Sequence, residues 1–158
     1  MASPVTARIA RAVSDLPAAE WDALTDNANP FMRHAFLSAL EKSGSVGGRS
    51  GWTPLPVLID GPDGRLAAAL PAYLKQHSQG EYVFDHSWAD AWQRAGGAYY
   101  PKLQIAAPFT PATGPRLLTR DPAYAPALLA AAEKLRELHD LSSAHEIGRA
   151  SCRERVCT

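Results

Sequence analysis

The strongest constraint on this chain is a chain reversal. Asp60-Gly61-Pro62-Asp63-Gly64 stands between two largely apolar runs, Thr53 to Ile59 and Arg65 to Leu74. Proline pre-sets a turn dihedral, aspartate side chains bond the local backbone, and glycine accepts a positive φ, so the stretch turns the chain back on itself. Two strand-like runs on either side of such a turn predict an antiparallel hairpin, with Leu66, Leu70 and Leu74 as its visible anchors. Pro54 and Pro56 have no N–H to give to a ladder, which confines the first strand to an edge or delays its start. A lone hairpin is marginal in water, so the rest of the chain must supply strands and helices to cover it.

The flanks do so. Val5 to Val13 alternates Val5, Ala7 and Ile9 with a period of two and predicts a first strand. Ser14-Asp15 and Pro17 then signal a helix start, and Trp21 and Leu24 share a face of a short helix over Ala18 to Thr25. Asn27-Ala28-Asn29-Pro30 interrupts it. A second helix runs from Phe31 or His34 to Lys42, with Phe36, Leu37 and Leu40 on one side, and stops at Ser43-Gly44. After the hairpin come a short strand at Tyr82 to Phe84, a helix from Trp88 to Ala95, strands at Lys102 to Ala106 and Arg116 to Thr119, and a long Ala/Leu helix over Ala123 to His139. Leu141 to His145 starts one more strand. This order predicts an α+β fold with one mixed, mainly antiparallel sheet flanked by helices.

A net charge of zero supplies no basic field for DNA or an anionic membrane. No apolar run approaches the ~20 residues of a membrane span, and the first residues lack the pattern of a secretory signal, so a cytoplasmic location is expected. Both cysteines, Cys152 and Cys157, lie in the last seven residues, a poor arrangement for a metal or a disulfide, and no metal site is expected.

Chemistry concentrates in Gly80 to Arg116, which holds two of the four tryptophans, three of the five tyrosines and four prolines. Asp85 and His86 are the candidate catalytic residues, since a histidine beside a carboxylate suits a general base. Adjacent strand residues point to opposite faces, and the competing reading has Asp85 capping the next helix and His86 lining a pocket. Trp88 and Trp92, four apart on a helix, read either as a ligand-stacking surface or as core. Tyr99, Tyr100 and Lys102 could meet an anionic substrate; a solvated lysine beside half-buried phenols is the alternative. Phe109, Thr110 and Thr113 belong to a proline-fixed loop read as ligand-facing, with Gly114 permitting a close approach that a side chain would block. Arg116 is either an anion clamp by its planar fork or an anchor of that loop. Gln93-Arg94-Ala95-Gly96-Gly97-Ala98 fits a pyrophosphate-loop pattern, but it follows a helix rather than opening one, so a glycine C-cap accounts for it better.

Three strings are distinctive: NPFMRHAFLSALEKSG, the run from LPAYLKQHSQG through AYYPKLQIAAPFTPATGPRLL, and the later LSSAH. Together they resemble the amino-terminal part of a bacterial family of predicted N-acyltransferases, related to Fem-type peptidyltransferases and placed in the GNAT superfamily. The resemblance covers nearly all of residues 14–145. It implies a GNAT-like (acyl-CoA N-acyltransferase-like) fold and transfer of an acyl or aminoacyl group to the amine of a small molecule or peptide, in cell-wall peptide metabolism. The implied donor is acyl-CoA or aminoacyl-tRNA, with tRNA a partner only in that capacity. Members of the family continue into a second lobe. Glu146 to Val156, EIGRASCRERV, resembles a translated vector read-through. The expected organisation is therefore a lobe over 1–145 and a non-native tail over 146–158, a fragment inactive by itself. The competing functional reading is a non-catalytic module whose aromatic and proline-lined pocket binds a peptide or glycan.

Overall fold

The hairpin is present, and it is bent at its prolines. In a computed structural model, which describes residues 5–25, 29–80 and 85–148, the first arm divides into β2 (Trp52–Pro54) and β3 (Val57–Asp60) and the second into β4 (Leu66–Leu70) and β5 (Ala72–Lys75). The breaks fall at Leu55-Pro56 and at Pro71. Proline cannot donate to a ladder, so pairing is interrupted on both arms at the same level. One backbone bond, Leu55 N–H to the Ala72 carbonyl at 2.8 Å, holds the arms together there. The two halves then enter different sheets.

The first sheet has the order β1-β3-β4-β7, with β1 at Ala7–Ile9 and β7 at Leu118–Thr119. The second has the order β2-β5-β6-β8, with β6 at Lys102–Ile105 and β8 at Ala144–Glu146. Every pairing is antiparallel except β6 with β8. The α+β class and the mainly antiparallel pairing agree with the sequence, and the arrangement is consistent with a GNAT-like fold. The strands form two sheets where the hydrophobic pattern predicts one.

Among the described residues, four helices flank these sheets: α1 (Ala18–Asp22), α2 (His34–Lys42), α3 (His86–Arg94) and α4 (Ala125–Leu138). The main core gathers Val57, Ile59, Ala68 and Leu70 of the first sheet, Ala72, Leu103 and Ile105 of the second, and Leu128, Ala132 and Leu135 of α4. The opposite face of the first sheet, through Leu58, Ala69 and Leu118, packs on Trp21, Leu24, Met32 and Leu37 beside α1 and α2. Trp21 is fully buried, and its indole N–H donates to the Met32 carbonyl at 2.8 Å. This satisfies its one polar group.

Several expectations are corrected. β1 is an edge strand whose Ile9 is 47% exposed, as is Val5 at 51%, so the period of two there does not mark a buried face. Pro17 takes the cap position of α1, while Ser14 and Asp15 lie in a preceding 3-10 turn. On α4, Leu129 and Leu138 point to solvent. The helix packs with one stripe only, and Ala132 rather than a second leucine row completes it. The predicted strand at Tyr82 to Phe84 lies outside the described residues, as do Asn27, Ala28 and both cysteines. β8 runs across His145 to Glu146, and Ile147 N–H bonds the Ile105 carbonyl at 2.9 Å.

Candidate functional site

The second sheet has two different faces. Strand alternation puts Ala72, Leu74, Leu103 and Ile105 on the core side. The register pairs Trp52 with Lys75, Lys75 with Lys102, Tyr73 with Gln104, and Gln104 with His145, so these residues share the other side. That side is polar and aromatic yet covered: Tyr73, Lys75, Lys102 and Gln104 are all 2% exposed or less. Burying two lysines directly opposite each other is costly unless counter-charge is supplied. The Lys75 ammonium lies 4.6 Å from the centroid of the Trp52 ring, a cation–π distance.

Asp85 supplies counter-charge to Lys102. The ammonium donates to Asp85 Oδ2 at 2.6 Å, and the Tyr100 hydroxyl lies 2.9 and 3.0 Å from the two carboxylate oxygens. Ser78 Oγ is 2.6 Å from the Tyr100 oxygen. A phenol has one proton, so when Tyr100 donates to Asp85 the Ser78 hydroxyl donates to Tyr100. Burial by itself pushes the Asp85 carboxyl up. The hydrogen bond from Lys102, the neighbouring Ser78 hydroxyl, the Lys102 charge and the Tyr100 phenol outweigh burial and hold it well below the usual carboxylate range. Asp85 is therefore a fixed anion near neutral pH. Lys102 also sits 5.4 Å from the Tyr99 ring centroid and 5.5 Å from that of Tyr100. The Tyr100–Pro101 peptide bond, at the entry to β6, is cis.

The structure thus unites Asp85, Tyr99, Tyr100 and Lys102 and leaves other candidates apart. Lys102 is buried and paired, which corrects the reading of a solvated lysine. Asp85 occupies the cap position of α3 but makes no side-chain cap bond, because its carboxylate turns to the sheet. His86 is exposed on the first turn of α3. Trp88 and Trp92 are 74% and 54% exposed, so they are not core. The Trp92 indole lies over Gly97, where a Cβ would collide with it.

Helix α3 ends in a Schellman arrangement. Gly96 has φ of 85°, its N–H bonds the Gln93 carbonyl at 2.9 Å, and Gly97 N–H bonds the Trp92 carbonyl at 3.0 Å. Those amides serve helix carbonyls and not a pyrophosphate, as a C-cap requires.

The proline loop is plugged rather than open. Arg116 is fully buried, and its guanidinium donates to the carbonyls of Ile147 at 2.8 Å, Gly114 at 3.2 Å and Ala112. Burial lowers its pKa, opposed by the Glu146 charge. The fork is spent on backbone, which makes it a loop anchor and not an anion clamp. Gly114 does permit a close approach, by the Asn29 side chain. Thr110 Oγ1 accepts from the Ala112 N–H at 3.1 Å, within the loop, and Thr113 is exposed. Phe109, at φ of 61°, packs its ring on Trp52 with centroids 5.2 Å apart, at the rim of the polar face.

Sequence reasoning missed Trp52, Tyr73, Lys75, Ser78, Gln104 and the Ser143–His145 pair. The alternation in Ala-Tyr-Leu-Lys and Lys-Leu-Gln-Ile carries a signal, but in a strand it ordinarily means a solvated face. Among the described residues, no three His, Cys, Asp or Glu side chains gather as a metal-binding group, and no helix is long and apolar enough to cross a membrane.

The family model for FemAB-like proteins, described as peptidoglycan biosynthesis/recognition, matches residues 12–151. The chain belongs to the FemAB-like family. No curated protein and no solved structure matches it. The match takes in the polar face from Trp52 to His145, so the family described by peptidoglycan biosynthesis/recognition covers the residues of the Asp85–Lys102 network.

Proposed function

We propose that this FemAB-like lobe belongs to an N-acyltransferase of the GNAT kind. It would pass an acyl or aminoacyl group from acyl-CoA or aminoacyl-tRNA to an amine of a peptidoglycan precursor peptide, in the cytoplasm. The observation that carries the reading is the covered polar face built on Asp85, Tyr100 and Lys102. Two opposed buried lysines and a carboxylate held as an anion are costly to bury, and such groups cluster where charge must be held in place. Transfer to an amine develops negative charge on the carbonyl oxygen and positive charge on the nitrogen. A cation and an anion fixed 2.6 Å apart and buried together supply a preorganised field beneath that face for such charge.

Calorimetric titration of the chain with acetyl-CoA, longer acyl-CoAs, charged tRNA and wall-precursor peptides tests this. Saturable binding of a donor and of an amine-bearing peptide is expected, with both weakened by Lys102→Met in a variant that stays folded by circular dichroism. Peptide binding with indifference to every donor would replace the reading with a non-catalytic recognition module.

A further inference from the structure

One side chain on the covered face of the second sheet is buried without a partner for its carbonyl oxygen. Gln104 stands in a row across β5, β6 and β8, in register with Tyr73 on one side and His145 on the other. It is 2% exposed, and its Oε1 has no hydrogen-bond partner among the described residues. A buried carbonyl oxygen without a donor carries its full desolvation cost, so nearly all such groups in folded proteins are paired. Neither neighbour in the row makes the bond. Tyr73 closes the inner end and is 1% exposed. His145 engages Nε2 with Ser143 Oγ at 2.9 Å and stands edge-on to the Tyr99 ring at 90°, so its imidazole is held in place. The outer end of the row is more open. β8 is the edge strand of its sheet among the described strands, and Ser143 and His145 are half-buried. A group entering past that edge meets Gln104 one strand in, about 5 Å away.

The missing partner is a hydrogen-bond donor, and the charges nearby narrow its class. Lys102 precedes Gln104 by two residues on the same strand and face, and Lys75 lies opposite Lys102, so a third ammonium there would be repelled. A neutral N–H meets the need, and the peptide bond supplies one at almost every residue. A carboxamide carries an acceptor and donors in one plane, which matches it to an amide that carries both. We propose that Gln104 is the residue that reads a peptide bond of the bound substrate, with Oε1 accepting the amide N–H. It acts as a specificity residue, because a site built to bond an N–H rejects an analogue that lacks it. A peptide held there lies beside the ion pair that Lys102 makes with Asp85. Naming that peptide as the acceptor of an acyl group rests on the transferase reading; the amide site itself does not.

The test titrates the isotope-labelled chain with N-methylacetamide, and separately with methyl acetate, in which oxygen replaces the N–H. The NMR signal of the Gln104 side-chain amide, identified by its loss in Gln104→Met, reports the contact. A saturable shift with the amide is expected, with the ester weaker by on the order of 10-fold. In Gln104→Met, read from the backbone signals of Leu103 and Ile105, the preference for the amide should vanish. That variant should also unfold at a urea concentration no lower than the parent, because an apolar chain of similar shape replaces a polar group without a partner. A carboxamide that serves the protein's own structure would behave in the opposite way. Lower stability of Gln104→Met therefore overturns the proposal, as does the lack of a saturable shift at Gln104, or an equal response to the two probes. The titration with acyl-CoA, charged tRNA and peptides decides the transferase reading separately. Amide binding at Gln104 without donor binding would sink that reading and leave the amide site in place, and donor binding with no shift at Gln104 would do the reverse.

Discussion

Replacing Asp85 by asparagine probes the ion pair that organises the polar face. The change keeps the shape and removes the charge. Lys102 is 1% exposed, so its ammonium stays desolvated and loses the carboxylate 2.6 Å away, keeping the faces of Tyr99 and Tyr100. Breaking one side of a buried pair costs about 3–5 kcal/mol. The Tyr99 and Tyr100 faces flank Lys102 in parent and variant alike and cancel in the difference, so a loss of about 3–5 kcal/mol near neutral pH is expected. The effect has a pH signature. The folded-state pKa of Asp85 lies below its ordinary value of 3.8. Its stabilisation is therefore complete above about pH 4 and fades as the pH falls further, towards the folded-state value. Urea denaturation of parent and Asp85→Asn chains between neutral pH and about pH 3 should show a gap that is constant above about pH 4 and narrows below it. The double variant Asp85→Asn, Lys102→Met removes both charges and should recover much of the loss, giving a strongly non-additive cycle. A single-variant loss under about 1 kcal/mol, or an additive cycle, would refute the claim that the pair is closed and desolvated, because exposed pairs behave in that way.

Two further outcomes follow from burial and geometry. Arg116→Lys keeps the charge but cannot reach three carbonyls from one ammonium. A loss of roughly 2–3 kcal/mol is expected, with faster proteolytic cleavage within the Pro108 to Pro115 loop; unchanged stability and cleavage would show that the fork does not anchor it. Trp21→Ala should cost about 3–5 kcal/mol in denaturant melts because the residue is fully buried. Trp88→Ala, at 74% exposure, should stay within about 0.5 kcal/mol of the parent; equal losses at the two sites would contradict the assignment of faces.

Much of the scaffold is readable from short windows. The Asp60 to Gly64 reversal, the stop at Gly96-Gly97 and the stop at Ser43-Gly44 are local backbone chemistry, and they appear where the residues put them. Pro54 and Pro56 mark the first arm as an edge strand or a late start, while the break at Pro71 falls inside the predicted strand Arg65 to Leu74. Pro56 and Pro71 interrupt both arms of one hairpin at one level, and only the pairing in space shows that the two halves then serve different sheets. The candidate site was half legible. The Asp85 to Lys102 stretch was marked by its composition, yet Asp85 was matched with its neighbour His86 instead of with Lys102, seventeen residues on. Arg116 presented the chemistry of an anion clamp, and only the fold shows its fork turned onto loop carbonyls.

The sequence by itself determined where the chain turns, where its helices stop and which residue types crowd into Gly80 to Arg116, because those properties depend on dihedral preferences and side chains a few positions apart. The tertiary structure decided which face of each strand is covered. Alternating polar residues on a strand look the same whether they meet water or the rest of the protein. Lys75, Lys102 and Gln104 become a site because Trp52, Tyr73, Asp85, Tyr100 and Ser78, drawn from separate segments, pack over them, and no local window contains that information.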